Sequence, residues 1–389
     1  MQSFLRMACA AAMLAAFIVS SGCGQSATRA NVARAHPAEP RDLALKLATP
    51  KNGRTRPMVV VLADNAGTET TDFVVPYGVL KESGVADVVT VSTGPGAVAL
   101  MPVLRILPDM TIAQFDAATP SGADILIVPA MRRNDDPALL DWVRIQHRKG
   151  ATVVSICEGA SLVANAGLLE GRIATTHWFA LDTMAEKFPG TTWMLDRRWV
   201  VDGKIISTTG VSASVPASLA LVEAIAGRPA ALRTAQRLGV NSWDTEHDSS
   251  AFAFDARQFV VIAWNWLAFW RHETLVLPIA DGFDDISLAL TADAWARTLR
   301  SRVVSTHAGG TVRSRHGLVF ESAMAPADSR YRLTDPQPVA KIDLDAILAG
   351  IAARYGPTTA RWVAMGLEHR PRLEDTHVPG CDRSPACGE

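Results

Sequence analysis

Ala151-Thr152-Val153-Val154-Ser155-Ile156-Cys157-Glu158-Gly159-Ala160 is the stretch on which the fold turns. Ala151 to Ile156 is a short run of β-branched and apolar residues, the pattern of a strand covered on both faces. An Ala- and Leu-rich helix follows, from about Ala160 to Leu169. Cys157 therefore stands on a tight strand-to-helix turn, with Gly159 and Ala160 as the small neighbours such a turn needs. Outward from it the same alternation recurs. Upstream, Met58-Val59-Val60-Val61-Leu62, Val88 to Val91 and Ala123 to Pro129 read as strands. Val74 to Leu80 and Pro137 to Arg148 have helical spacing, the latter with Pro in its first turn. Downstream, Ile205 to Thr209 is a strand and Ala213 to Ile225 a helix, and the unit closes near Gly227. Strands alternating with helices predict an α/β fold, a parallel sheet sandwiched by helices.

Ligands of such sheets bind at the carboxyl ends of the strands, and four candidate residues fall there. Cys157 opens a helix whose amides and positive dipole end favour a thiolate, which predicts a depressed pKa. The competing reading is an inert cysteine in a core strand. His177, in Ala174-Thr175-Thr176-His177-Trp178, ends the next short strand and is either a proton carrier for the thiol or a capping histidine. Asp72 opens the first helix, as an acid near the sulfur or as its N-cap. Glu158 adjoins the nucleophile, or serves only as a first-turn acid.

Together these residues resemble the ThiJ/PfpI (DJ-one-like) superfamily, with its class I glutamine-amidotransferase-like, flavodoxin-like fold. The resemblance rests on Asp124 to Pro129, on Ser155 to Ala160, and on Ala166-Gly167-Leu168-Leu169-Glu170-Gly171-Arg172-Ile173-Ala174-Thr175-Thr176-His177-Trp178. It covers about residues 57–228, nearest the branch of isonitrile hydratases and of AraC-type regulator sensor domains. It implies that Cys157 is the elbow cysteine, Asp72 its acidic partner and His177 the neighbouring histidine. Two departures alter the expected pocket. Ala130 and Met131 follow Pro129 where many members carry glycines, and Glu158 replaces a small, hydroxyl or histidine residue.

Residues 229–389 contain a partial echo. Leu275 to Asp281 and Asp284 to Leu290 read as the first strand and helix again, with Asp285 roughly where Asp72 falls. Arg302 to Ser305 and Gly317 to Val319 supply further strands, and no second elbow cysteine follows. Residues 274–325 are thus a degenerate α/β half-repeat, and residues 229–389 as a whole are expected to act as a lid or pseudo-symmetric partner without a catalytic centre of their own. Between the copies, Trp264, Trp266, Phe269 and Trp270 recur at helical spacing, a predicted packing face.

The termini set the compartment. Arg6, the apolar run Met7 to Val19 and Ser20-Ser21-Gly22 form an export signal over residues 1–22. Cys23 then stands where bacterial lipoproteins are lipidated, with plain secretion and a retained anchor helix as the alternatives. Residues 23–56 lack periodicity and read as a tether. Cys381 and Cys387 are spaced to close a disulfide loop in an oxidising compartment. A metal site built from them and His377 lacks a fourth ligand, so no metal and no cofactor is expected. Among 389 residues, 38 Lys plus Arg balance 39 Asp plus Glu, which leaves no basic surplus for a nucleic-acid partner. The partners expected are a small-molecule substrate or ligand, the membrane through the lipid anchor, and a second copy in a homodimer. Two functions follow: thiolate attack on a small electrophile with release by water, as in a hydratase or hydrolase, or a non-catalytic ligand or oxidant sensor.

Overall fold

The computed structural model describes residues 31–35, 45, 47, 49–253, 255–322, 331–332 and 343–371. The export signal, Cys23, Cys381 and Cys387 lie outside the described residues.

Seven strands form the main sheet, in the order β12 (Trp199–Asp202), β13 (Ile205–Thr208), β9 (Thr152–Ser155), β8 (Ile125–Val128), β2 (Met58–Ala63), β4 (Asp87–Ser92) and β7 (Met110–Thr111). All neighbours are parallel except the β12–β13 edge pair. From β4 through β2, β8 and β9 to β13 the chain follows the flavodoxin-like order, with its topological switch between β2 and β8. The pleat of β2 divides two cores. Val59, Val61 and Ala63 join one apolar cluster, and Val60 and Leu62 the other. The first cluster holds helices α1 (Thr70–Ser83) and α6 (Val211–Ala226), and α7 (Arg228–Leu238) packs beside them. The second holds α3 (Pro137–Arg148) and α4 (Gly159–Asn165), and takes Phe115 from α2 (Ile112–Ala118). Pro137 stands at the first turn of α3, as the sequence leads one to expect, and Asp136 caps the helix.

The second half is built into the first. It contributes α8 (Ala256–Leu267), β14 (Glu273–Pro278), α9 (Asp285–Ala296), β15 (Ser301–Thr306), β16 (Thr311–Arg313), β17 (Val319–Glu321), β18 (Tyr331–Arg332), α10 (Leu344–Tyr355) and α11 (Pro357–Gly366). A parallel sheet runs β15-β14-β18. A second sheet runs β16-β17-β6-β5-β3, through β3 (Thr68–Glu69), β5 (Val98–Met101) and β6 (Leu104–Leu107). There the β5–β6 hairpin of the first copy pairs antiparallel with the β16–β17 hairpin of the second, Phe320 facing Ile106. Corresponding elements keep a constant offset of 214 or 215 residues: Met58 and Glu273, Thr70 and Asp285, Asp87 and Ser301, Leu104 and Val319.

That register corrects one expectation. Asp285 matches Thr70, and Asp72 matches Ser287. The equivalent acids are the N-caps Glu69 and Asp284, each accepting the amide three residues on. Helices α1 and α9 lie antiparallel and in close contact. A Cβ on Gly78 would sit 2.6 Å from Ile286 Cγ1. The ends are fastened by charge. Glu69 meets Arg297 at 3.0 Å, while Glu82 contacts His316 at 3.0 Å and Arg315 at 2.6 Å. Leu275, Ile286 and Trp295 share one continuous core with Phe73 and Leu219.

Two further expectations differ from the structure. In α8 the face carrying Val260, Trp264 and Leu267 is turned outward, so Trp264 is 52%, Phe269 73% and Trp270 64% exposed. The inward face holds Ile262 with Gln258 and Asn265, and Asn265 Nδ2 bonds Thr298 O and Thr359 Oγ1. The aromatic stripe is therefore not a packing face; buried amide bonding orients the helix instead. Within the stretch read as a tether, Val32–Arg34 forms β1, pairing with β11 (Thr192–Leu195) in a small sheet completed by β10 (Ile173–Ala174). Lys51 N and Arg54 reach Asp124, each at 2.9 Å. No helix among the described residues is long and apolar enough to cross a membrane.

Candidate active site

Cys157 lies between β9 and α4 with φ of +55°, the left-handed region that a non-glycine residue keeps only under constraint. The constraint is visible. Cys157 N donates to Thr208 Oγ1 at 3.2 Å, and Thr176 Oγ1 donates to Cys157 O at 3.1 Å. Ile156 N bonds Val128 O at 3.0 Å, and a Cβ on Gly159 would lie 2.1 Å from that same oxygen. Glycine at 159 is what lets the elbow lean on β8. The thiol is free and 8% exposed.

Asp72 is fully buried in the first turn of α1. Its Oδ2 accepts from Ala130 N at 3.1 Å, while Oδ1 is buried with no hydrogen-bond partner. The N-cap role expected of Asp72 belongs to Glu69, whose Oε2 accepts from Asp72 N at 2.6 Å. Ala130 follows Pro129 at the end of β8, so the amide after that proline is already committed to Asp72.

His177 is the N-cap of α5 (Trp178–Lys187), 7% exposed, with Nδ1 accepting from Phe179 N at 3.3 Å. An acceptor at Nδ1 puts the proton of the neutral ring on Nε2. That nitrogen is buried, and the ring meets the Gly366 backbone. Glu158 points to solvent and caps nothing with its side chain. It acts on the site only through its charge.

The electrostatics reverse the thiolate expectation. Burial pushes the Cys157 thiol up, and the carboxylates of Asp72, Glu158, Glu69 and Glu368 push it further. Helix α4 spans only seven residues, and its dipole does not offset four acids. Burial also raises Asp72 well above the usual carboxylate range, with Glu69 adding to it; the Ala130 amide and Arg297 oppose. His177 is lowered, burial outweighing the charges of Glu368 and Glu158. Asp72 and Cys157 thus resist ionising together.

The second half supplies groups the sequence did not flag. Arg297, just after α9, bonds Glu69 and, at 2.8 Å, Asp293, whose carboxyl burial pushes up to about 7. Glu368 reaches Gly210 N at 2.6 Å and Trp178 N at 3.4 Å. Neither position carries a local motif, and their separation along the chain from Cys157 hides them from pattern reading. Beyond Glu368 lies a cleft of about 920 Å³ bordered by His247, Arg198, Asp345 and Phe252. Among the described residues no group of three His, Cys, Asp or Glu converges to hold a metal ion.

A family profile described as DJ-1/PfpI family matches residues 57–224. Over 144 residues the chain is 30% identical to Deglycase PfpI of Pyrococcus furiosus, covering 36% of this chain and 82% of that protein. It is 35% identical over 101 residues to the HTH-type transcriptional regulator CdhR of Pseudomonas aeruginosa, covering 26% of this chain but only 30% of the regulator. It is 33% identical over 93 residues to the isonitrile hydratase of Pseudomonas putida, covering 24% of this chain and 40% of that enzyme.

Proposed function

Because this chain belongs to the DJ-1/PfpI family, we propose that it is a cysteine-dependent enzyme acting on a small electrophilic substrate, with Cys157 as nucleophile. One observation carries the reading. The strained elbow at Cys157 is accompanied by a buried atom without a hydrogen-bond donor, Asp72 Oδ1. An orphaned buried polar atom is costly, and a bound substrate would satisfy it.

The reactive form carries one negative charge shared between Asp72 and Cys157. As Sγ bonds to the electrophilic carbon, its proton passes to the Asp72 carboxylate. The electron pair of the substrate's multiple bond moves to the adjoining heteroatom, stabilised by the His177 Nε2–H and then protonated by Asp72. Asp72, again a carboxylate, takes a proton from water as its oxygen attacks the same carbon. The S–C bond breaks and Asp72 returns the proton to sulfur, so the net change is addition of water. Glu158 tunes the local field through its charge alone. The hydratase and deglycase relatives support this class of chemistry. A substrate screen with purified protein against Cys157→Ala tests it, and turnover that survives the substitution would sink the cysteine mechanism.

A second reading, a non-catalytic ligand sensor, draws support from the similarity to the CdhR regulator. Oxidant sensing is disfavoured, since sensor thiols are accessible and low in pKa. A compound that raises the melting temperature of wild type and Cys157→Ala alike, without turnover, would favour the sensor.

The proposal includes export, with residues 1–22 as signal and Cys23 as lipidation site, on the sequence pattern alone. Fractionation of wild type against Cys23→Ala tests it; a wild type already in the soluble fraction would end the lipoprotein reading. Cys381 and Cys387 are proposed as a disulfide pair, which mass mapping under non-reducing conditions would check. A homodimer is tested by light scattering.

A further inference from the structure

The segment Met365–Glu368, at the end of α11, is fastened to the starts of two helices beside Cys157. Met365 O accepts from Trp178 Nε1 at 2.8 Å, and Leu367 O accepts from Ser212 N at 3.0 Å. Glu368 O accepts from Ser212 Oγ. The Glu368 side chain reaches deeper and is buried. Its Oε2 takes the Gly210 and Trp178 amides, and its Oε1 stands 2.8 Å from His247 Nε2. The Glu368 backbone is held at φ +52°, again in the left-handed region. Gly210 records how close the parts come. A Cβ there would lie 2.7 Å from Glu368 Cβ, from Glu368 Oε2 and from His177 Cδ2 alike.

We propose that Glu368, delivered from the far half of the chain, is a positioning residue of the Cys157 site: it fixes the His177 ring in the arrangement in which Nδ1 accepts from Phe179 N–H. The inference rests on the reading of Cys157 and His177 given above, and names the residue that holds the second of them. The first amides of α5 are divided between two acceptors. His177 Nδ1 takes Phe179 N–H, and Glu368 takes Trp178 N–H. With both amides held, the ring has one arrangement in which Nδ1 accepts and Nε2 carries the proton. Loss of the carboxylate would leave the Gly210 and Trp178 amides and His247 without that acceptor.

The charged groups acting on His177 are Glu368 from beyond α11, Glu158 from the elbow and Arg297 from the end of α9. His247 is the titratable group bonded to Glu368. Removing the Glu368 charge therefore has a defined sign: the His177 ring becomes harder to protonate, and the Cys157 thiol easier to ionise.

The test uses the full chain as wild type, E368Q and E368A. Ring NMR titration of His177, assigned with His177→Gln, is combined with iodoacetamide labelling of Cys157 and thermal melting. Gln keeps an acceptor for the two amides and drops the charge. E368Q is expected to melt within a few degrees of wild type, to keep the Nε2-protonated pattern, and to show a lower His177 midpoint. Its labelling rate at pH 7 should rise above that of wild type. E368A is expected to lose the single tautomer pattern. A folded E368Q with the wild-type His177 midpoint and labelling rate overturns the proposal, as does an E368A protein that keeps the wild-type tautomer pattern. Should E368A fail to fold, E368Q decides alone. Activity that persists in Cys157→Ala would retire the cysteine mechanism while leaving the His177 result standing, so the two failures are separable.

Discussion

Gly159 and the Val128 carbonyl are in backbone contact: a methyl group added at 159 would stand 2.1 Å from that oxygen. The oxygen is also the acceptor for Ile156 N, so it cannot retreat without unzipping the β8–β9 junction. Gly159→Ala is expected to destabilise the protein by about 2–3 kcal/mol, the range of backbone overpacking. Urea unfolding measures it. A midpoint equal to wild type would mean that the elbow has room the geometry denies it.

Cys157 is expected to label with iodoacetamide at a midpoint above the free-cysteine value of about 8.5, because burial and then Asp72 disfavour its thiolate. Asp72→Asn removes the strongest of those charge effects and should move the midpoint down, toward but not past the free value. A wild-type midpoint below 8.5 would restore the helix-dipole expectation.

His316 bridges the two halves, bonded to Asp285 through Nδ1 and to Glu82 through Nε2. Burial acts to lower its pKa, but the Asp285 and Glu82 contacts outweigh it and the net shift is upward. A raised folded-state pKa stabilises fully below the unfolded value of about 6.5 and fades as pH climbs through the folded value. Stability should therefore fall above about pH 6.5, and His316→Gln should flatten that slope. Denaturant midpoints between pH 5.5 and 8.5, chosen to bracket about 6.5, would show it.

Trp264→Ser combined with Trp270→Ser should change stability by no more than about 0.5 kcal/mol, since both rings are mostly exposed. Solubility should rise as the apolar patch shrinks. A large drop in melting temperature would show that the rings are covered in the native protein.

Residues 57–228 expressed alone should be poorly soluble. Truncation uncovers the α1 face that receives Ile286 and the β6 edge that receives β17. A monomeric, soluble fragment with wild-type thiol reactivity would mean that the second half is only appended.

The main sheet was legible because its strands are buried on both faces and read as unbroken apolar runs. Met58 to Leu62 and Ile125 to Val128 needed no tertiary information. The elbow was legible for a local reason too, small residues after a strand-ending cysteine. Three things were not. The orientation of α8 depends on Asn265 finding partners at Thr298 and Thr359, which no hydrophobic count contains. The sign of the Cys157 shift depends on burial and on acids gathered from three separate segments. Arg297 and Glu368 enter the site from α9 and α11, and only the assembled fold says so.

The pairing of the two hairpins, Phe320 on β17 against Ile106 on β6, has a consequence in mass action. Two free chains that met along this edge would separate on dilution, and any site that drew residues from both would fade with them. Here the two copies are one covalent strand of sequence, so their local concentration does not depend on how much protein is present. Asymmetry becomes permissible as well. The first half keeps the thiol while the second lends an arginine and a glutamate. The rate per molecule should stay constant across a dilution series that would dissolve a two-chain assembly.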